Sequence, residues 1–159
     1  MLIGKKLNDA INAQIGHEFQ ASNQYLAMAV FFEGLALKKL AKAFYKQSDE
    51  ERQHGLKLLK YVVEAGGSVV LPNIPAPKYQ FADVVDAFKL ALEWELQVTK
   101  NFNDLMDIAV AEKDYLAQQF LNWFVNEQLE EVSTMDNYLK VAQAAGPHMI
   151  MLEAYLSHE

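Results

Sequence analysis

Along four long stretches of this chain, apolar residues recur at alternating intervals of three and four, the spacing of one face of an α-helix. The first stretch gives Ile11, Ile15, Glu18, Ser22, Tyr25, Ala29 and Phe32, and the second gives Leu40, Phe44, Gln47, Glu51, His54, Leu58, Tyr61 and Ala65. The third supplies Val84, Phe88, Ala91, Glu95, Val98, Phe102, Leu105 and Ala109, and the fourth Ala117, Leu121, Phe124, Gln128, Glu131, Met135, Tyr138, Ala142 and Ala145. Helix breakers fall between them: Gly34, the pair Gly66-Gly67, Pro72, Pro75 and Pro77, then Gly146-Pro147. The pattern predicts helices over about 5–33, 37–65, 83–110 and 114–145, with a short fifth at about 147–157, in one domain spanning 1–159. Such seven-residue repeats belong to helices packed at about +20° in a bundle.

Connection lengths set the topology. The first and third breaks are a few residues long, which makes their flanking helices antiparallel neighbours. Residues 66–82 are an extended, proline-containing stretch that can cover roughly 56 Å, while a helix of this kind is roughly 43 Å long. That stretch can return along the whole bundle, so the second and third helices are expected to run in the same direction. The expected fold class is all-α: a four-helix bundle with one long crossover between helices two and three and a short fifth C-terminal helix.

Each stripe is interrupted near its middle by a polar acceptor. Glu18, Glu51, Glu95 and the pair Gln128 and Glu131 lie at the midpoints of their helices, and His54 is one turn after Glu51. They should meet in one layer at half height. The offsets repeat: Glu18 is 33 positions before Glu51 and 36 before His54, and Glu95 is again 33 before Gln128 and 36 before Glu131. Two duplicated hairpins, each supplying half a site, explain this. A single Glu in an apolar stripe is ordinarily a rim position. Four carboxylates in one dry layer would repel each other and carry a desolvation penalty of several kcal/mol each, which bound cations relieve.

Composition narrows the ion. Cysteine is absent, which excludes disulfides, thiolate-ligated zinc, iron–sulfur clusters and thiol nucleophiles. Carboxylates with a single imidazole and no sulfur suit Fe(II) or Mn(II). The four glutamates contribute −4, which balances two divalent ions. Glu51 would bridge, Glu18 and His54 would complete one ion, and Glu95 and Glu131 the other. That second ion lacks a histidine, and Gln128 is a neutral, weaker ligand, so it should be held more loosely. Hydrophobic residues make up 52% of the chain and acidic residues outnumber basic ones 21 to 14, giving a net charge of −7. The balance suits a protein that handles cations and argues against a nucleic-acid partner. The longest apolar run, Tyr25 to Phe32, is too short to cross a membrane, and the start lacks a signal-peptide core, so a cytoplasmic protein is expected.

At these residues the chain resembles the ferritins, specifically non-haem bacterial ferritin, over essentially its whole length. The matching pieces are Glu18 with Tyr25 seven residues on, Glu50-Glu51-Arg52-Gln53-His54, Trp94-Glu95, and the run from Trp123 to Glu131. The resemblance implies a ferritin-like bundle with a ferroxidase centre at Glu18, Glu51, His54, Glu95, Gln128 and Glu131. That centre would oxidise Fe(II) with dioxygen and pass ferric iron to a mineral core inside a homo-oligomeric cage of 24 subunits. It implies a third iron site at Glu50, Glu127 and Glu130, with Glu131 shared; a solvated acidic face is the competing reading of those three. It makes Tyr25 a hydrogen-bond partner or electron donor to the iron pair, whereas Trp123 is expected as a core aromatic and His17 as a surface or interface residue. No haem is expected, because Arg52 stands where bacterioferritins carry their haem-ligating Met. The main alternative is a di-metal oxidase or oxygenase acting on an organic substrate. It would need a cavity beside the metals, where Phe44, Phe102 and Phe124 are expected to fill the space.

Overall fold

The stripes become helices within a residue or so of their expected bounds. The computed structural model describes residues 1–156, with α1 over Lys5–Gly34, α2 over Lys38–Glu64, α3 over Val84–Ala111, α4 over Tyr115–Ala145 and α5 over Ile150–Leu156. Two starts are capped locally: Asp83 accepts from the Asp86 amide at 2.8 Å and Asp114 from the Ala117 amide at 2.9 Å. The residue before α2 is Leu37, which has no capping group. Glu153 of α5 takes that role, its two carboxylate oxygens accepting from the Lys39 and Leu40 amides at 3.0 and 2.9 Å.

Both short connections reverse through a left-handed residue that is not glycine, Ala36 at φ 61° and Lys113 at φ 55°. These lie 77 positions apart, the offset that also relates Glu18 to Glu95 and Glu51 to Gln128. The duplication therefore extends to the turns. Gly34, where the sequence places the break, is instead the last residue of α1. The fifth helix begins three residues later than expected. Gly146, at φ 56°, ends α4, and a turn over 146–149 intervenes, with the His148 amide bonded to the Ala145 carbonyl at 3.0 Å. Residue 157, the expected end of that helix, lies outside the described residues. The helix packs on its own bundle, against α2 and α4, through fully buried Leu152.

The crossover runs along α1 in the same direction, so α2 and α3 point the same way. Three side-chain amides of α1 hold it. Asn8 and Asn12 bond the backbone at Ser68 and Val70, and Gln24 both donates to the Lys78 carbonyl at 2.7 Å and accepts from its amide at 2.9 Å. These contacts satisfy backbone groups of a segment that has no ladder of its own. Gly16, between those amides, lets Pro72 lie so close that a Cβ would sit 2.3 Å from the ring Cγ.

Two apolar clusters fill the bundle, one around Tyr25, Phe32, Phe44, Phe88 and Tyr138, the other around Ile11, Ile15, Leu58, Phe102, Leu121 and Phe124. The acidic residues of the stripes lie between them. Seen around the bundle, α1 meets α2 and α3, and α3 meets α4, but among the described residues no Cα of α2 approaches one of α4 within 8 Å. A groove of about 660 Å³ occupies that side.

Candidate metal centre

All six expected ligands lie in one buried layer: Glu18 and Glu95 are fully enclosed, and Glu51, His54, Gln128 and Glu131 nearly so. Glu18, Glu51 and His54 each bring one ligand atom within 4.8 Å of the others, and so do Glu51, Glu95 and Glu131. Glu51 belongs to both groups. The His54 Nδ1 is 3.6 Å from a Glu18 oxygen and 3.5 Å from a Glu51 oxygen. Among the described residues Glu18 Oε2 is buried without a hydrogen-bond partner, and the His54 imidazole is the basic group beside it.

The electrostatics are those of carboxylates without their counter-ions. Burial, then the charge of Glu51, pushes Glu95 up to about 8 and Glu131 up to about 9. Burial and the charge of Glu18 push Glu51 up to about 8. Burial disfavours the His54 imidazolium, but Glu18 and Glu51 outweigh it and raise the group to about 11. Protons thus hold the layer together in the absence of cations, and a divalent ion would displace them.

Several neighbours orient these groups. The Tyr25 hydroxyl donates to Glu95 Oε1, and burial beside Glu95 and Glu51 raises its own pKa far above the ordinary value. Gln128 donates through its amide nitrogen to Glu95 Oε2 at 3.1 Å and to Thr99 Oγ1 at 3.1 Å, which leaves its carbonyl oxygen as the ligand atom for an ion. Two amides were not anticipated as members of the site. Gln14 donates to Glu18 Oε1 at 2.6 Å, and Gln47 donates to Glu51 Oε1 at 3.0 Å and to Glu131 Oε2 at 2.6 Å. Each precedes a ligand on its own helix by one turn, and an amide at that interval before a buried acid is the signal that marks them.

Glu50, Glu127 and Glu130 line the groove between α2 and α4, beside Glu131. Glu127 comes within ligand distance of His54 and Glu131. Glu50 pairs with Lys46 at 3.6 Å, and Glu130 is exposed. The residue His17 is exposed, as expected. Trp123 is not the core aromatic the sequence suggests: it is 40% exposed, with the Lys57 ammonium 3.3 Å from its ring centre. Phe124 takes the inward position, and one helix face cannot bury both neighbours. The Trp123 ring lies against the edge of His54, their centres 5.5 Å apart. Phe44, Phe102 and Phe124 are each buried to within 1% and occupy the space an organic substrate would need.

Fold and site together define a helical bundle with two groups of candidate cation ligands in its middle that share one carboxylate. A family model described as a ferritin-like domain matches residues 8–145, and the chain belongs to that family. It is 40% identical over 154 residues to ferritin BfrB of Mycolicibacterium smegmatis, covering 97% of this chain and 85% of the relative. It is 36% identical over the same length to the bacterial non-heme ferritin of Staphylococcus haemolyticus, covering 97% and 93%. Among solved structures, an open pore ferritin from the hyperthermophilic archaeon Archaeoglobus fulgidus superposes with a TM-score of 0.94 at 31% identity, covering 99% of this chain and 98% of that one.

Proposed function

We infer that this chain is an iron-storage ferritin subunit with ferroxidase activity, working in the cytoplasm as one of 24 copies of a cage. Fe(II) is its substrate. Glu18, Glu51 and His54 hold one ion and Glu51, Glu95 and Glu131 the other, with the Gln128 carbonyl as a weak additional ligand and Tyr25 fixing Glu95. Each Fe(II) gives up one electron and dioxygen takes both; the resulting ferric iron moves on to a mineral core. Protons on Glu51, Glu95 and Glu131 leave as iron arrives. The residues Glu50, Glu127 and Glu130 receive iron on its way out, Glu131 being shared between pair and groove. The observation that carries this reading is the position of Glu51 in both ligand groups. A shared carboxylate fixes two ions at one separation, which a two-electron reaction requires. No haem enters this reading. The oxygenase alternative is disfavoured by the three phenylalanines packed around the layer.

The test is an aerobic Fe(II) titration of metal-free protein, followed by dioxygen uptake and ferric absorbance. Oxidation that continues beyond two irons per chain, with iron co-eluting with a large particle, is expected; a single turnover that stops there would favour an oxygenase. Glu51→Ala should slow the fast phase by about a hundredfold, at the upper end of what loss of a metal-site partner costs. A fast phase equal to the parent's would remove Glu51 from the centre.

A further inference from the structure

The duplication exposes an asymmetry at one position. Counting 77 residues on from Glu18, Glu51 and His54 reaches Glu95, Gln128 and Glu131, and the same step takes Gln47 to Phe124. Phe124 closes its end of the polar layer with a buried ring set edge-on to His54, their centres 6.0 Å apart. At the corresponding place in the first hairpin stands an amide, itself 9% exposed, which lines the groove between α2 and α4 with Glu50, Glu127, Glu130 and Glu131. One end of the layer is an apolar wall. The other is a polar side chain between the ligands and an acidic groove.

The bonds of this amide matter as much as its place. The Gln47 nitrogen has two protons, and it serves Glu51 on its own helix and Glu131 on α4, across the side of the bundle where the helices stand apart. Glu131 is the residue that belongs both to the group with Glu51 and Glu95 and to the group with His54 and Glu127. In the one position it occupies it offers an oxygen to both groups, and the bond at 2.6 Å fixes its Oε2 beside Gln47 and Glu51. The geometry points to Gln47 as the positioning residue that keeps Glu131 on the second ion and closes the pair from the groove. Releasing that bond lets Glu131 turn toward Glu127 and carry an ion outward. This rests on the ferroxidase reading above and adds to it a control point between retention and transfer.

The experiment compares the parent with Gln47→Met, which keeps the side chain's length and removes both donors. Anaerobic Co(II) titration, read by visible absorption, is expected to show two ions per chain in the parent. In the variant the second ion, whose ligands Glu51 and Glu131 both lose a bond, should bind about tenfold more weakly, and the first, which loses only the bond to Glu51, should weaken clearly less, the loss expected of hydrogen bonds to charged groups. After a first pulse of two Fe(II) per chain in air, the fast phase should recover sooner in the variant. Gln47→Glu, which offers an acceptor in place of the donor, should lose the clasp in the same way. Equal second-ion affinity in parent and Gln47→Met overturns the proposal, as does unchanged recovery of the fast phase. Equal weakening of both ions would show a general disturbance of the layer and also overturn it. Failure of the parent to bind two Co(II) would instead remove the ferroxidase reading, which separates the two outcomes.

Discussion

The two hairpins began as one pattern and now differ in almost every respect that matters for the site. In α3 and α4 the buried residues are the stripe with one addition, Ala87. In α1 the stripe is joined by Asn8, Asn12, Gln14, Gly16 and Gln24, because the crossover lies along this helix and α2 lies close against it. Gly55 of α2 approaches so near to α1 that a Cβ there would sit 2.7 Å from the Phe19 ring. The dense first hairpin supplies a complete group of candidate ligands, Glu18, Glu51 and His54. The looser second hairpin supplies Glu95 and Glu131, with Gln128 turned to hydrogen bonding. Packing and chemistry differ together: a closely packed half whose candidate ligands include an imidazole, and a less closely packed half whose candidate ligands do not.

The strongest way to break that difference is to give the second half the first half's ligands. Gln128→Glu combined with Glu131→His recreates the spacing of Glu51 and His54 and leaves the total ligand charge unchanged. It isolates donor type from charge. The second ion should then bind at least about tenfold more tightly, because imidazole outranks a carboxylate for Fe(II)-like ions. Glu131, the residue shared with Glu127, would also be gone. Rapid oxidation should therefore stop near two irons per chain, where the parent continues. A double variant that continues like the parent would show that the halves do not divide the work of retention and release.

A second prediction uses pH on metal-free protein. The carboxyls of Glu51, Glu95 and Glu131 titrate near 8 to 9 when folded, against an ordinary value of 4.5. His54 is raised to about 11 from 6.5. The folded state thus holds protons that the unfolded chain has released, and its stability is fullest below the unfolded pKa values. Stability should fall as pH rises from about 5 toward 9, by up to ~1.4 kcal/mol per pH unit for each proton still retained. Thermal midpoints measured between pH 5.5 and 8.5 with a chelator should fall. With Co(II) bound the slope should flatten or reverse, since the ion takes the place of those protons. Glu131→Gln should reduce the metal-free slope. A midpoint that rises with pH in chelator would contradict the protonated layer.

The same contrast explains what was readable from the residues alone. Every buried position of α3 and α4 except Ala87 lies on the seven-residue stripe, so periodicity was nearly sufficient there. The six candidate ligands stood out because a charged or amide group inside an apolar stripe is anomalous without a partner. The amides of α1 were not legible, since Asn8, Asn12 and Gln24 satisfy backbone atoms of a crossover that has no period of its own. Trp123 departs from the expected core position because an aromatic beside the stripe reads as core, whereas the Lys57 ammonium over its ring lets it remain at the surface. The cap on α2 comes from Glu153, 113 positions beyond the Leu40 amide it accepts from, a relation that sequence spacing does not encode.

The smallest expected effect lies where the hairpins are still alike. Ala36 and Lys113 occupy equivalent turns and both adopt left-handed backbone, Ala36 at φ 61° and Lys113 at φ 55°. A side chain there brings Cβ against the following carbonyl, at roughly 1–2 kcal/mol, while glycine removes that strain and adds unfolded-state entropy of somewhat smaller size. Ala36→Gly and Lys113→Gly should therefore each stabilise the chain by about 0.5–1 kcal/mol, read from denaturant midpoints of metal-free protein. The fast phase of Fe(II) oxidation should not change, because the two turns lie at opposite ends of the bundle, away from the layer. Equal gains would mean that the duplicated turns carry equal strain despite the different packing beside them. A gain at Lys113 alone would mean that the tighter first hairpin already compensates for its turn, extending the divergence of the halves from the site to the ends of the bundle.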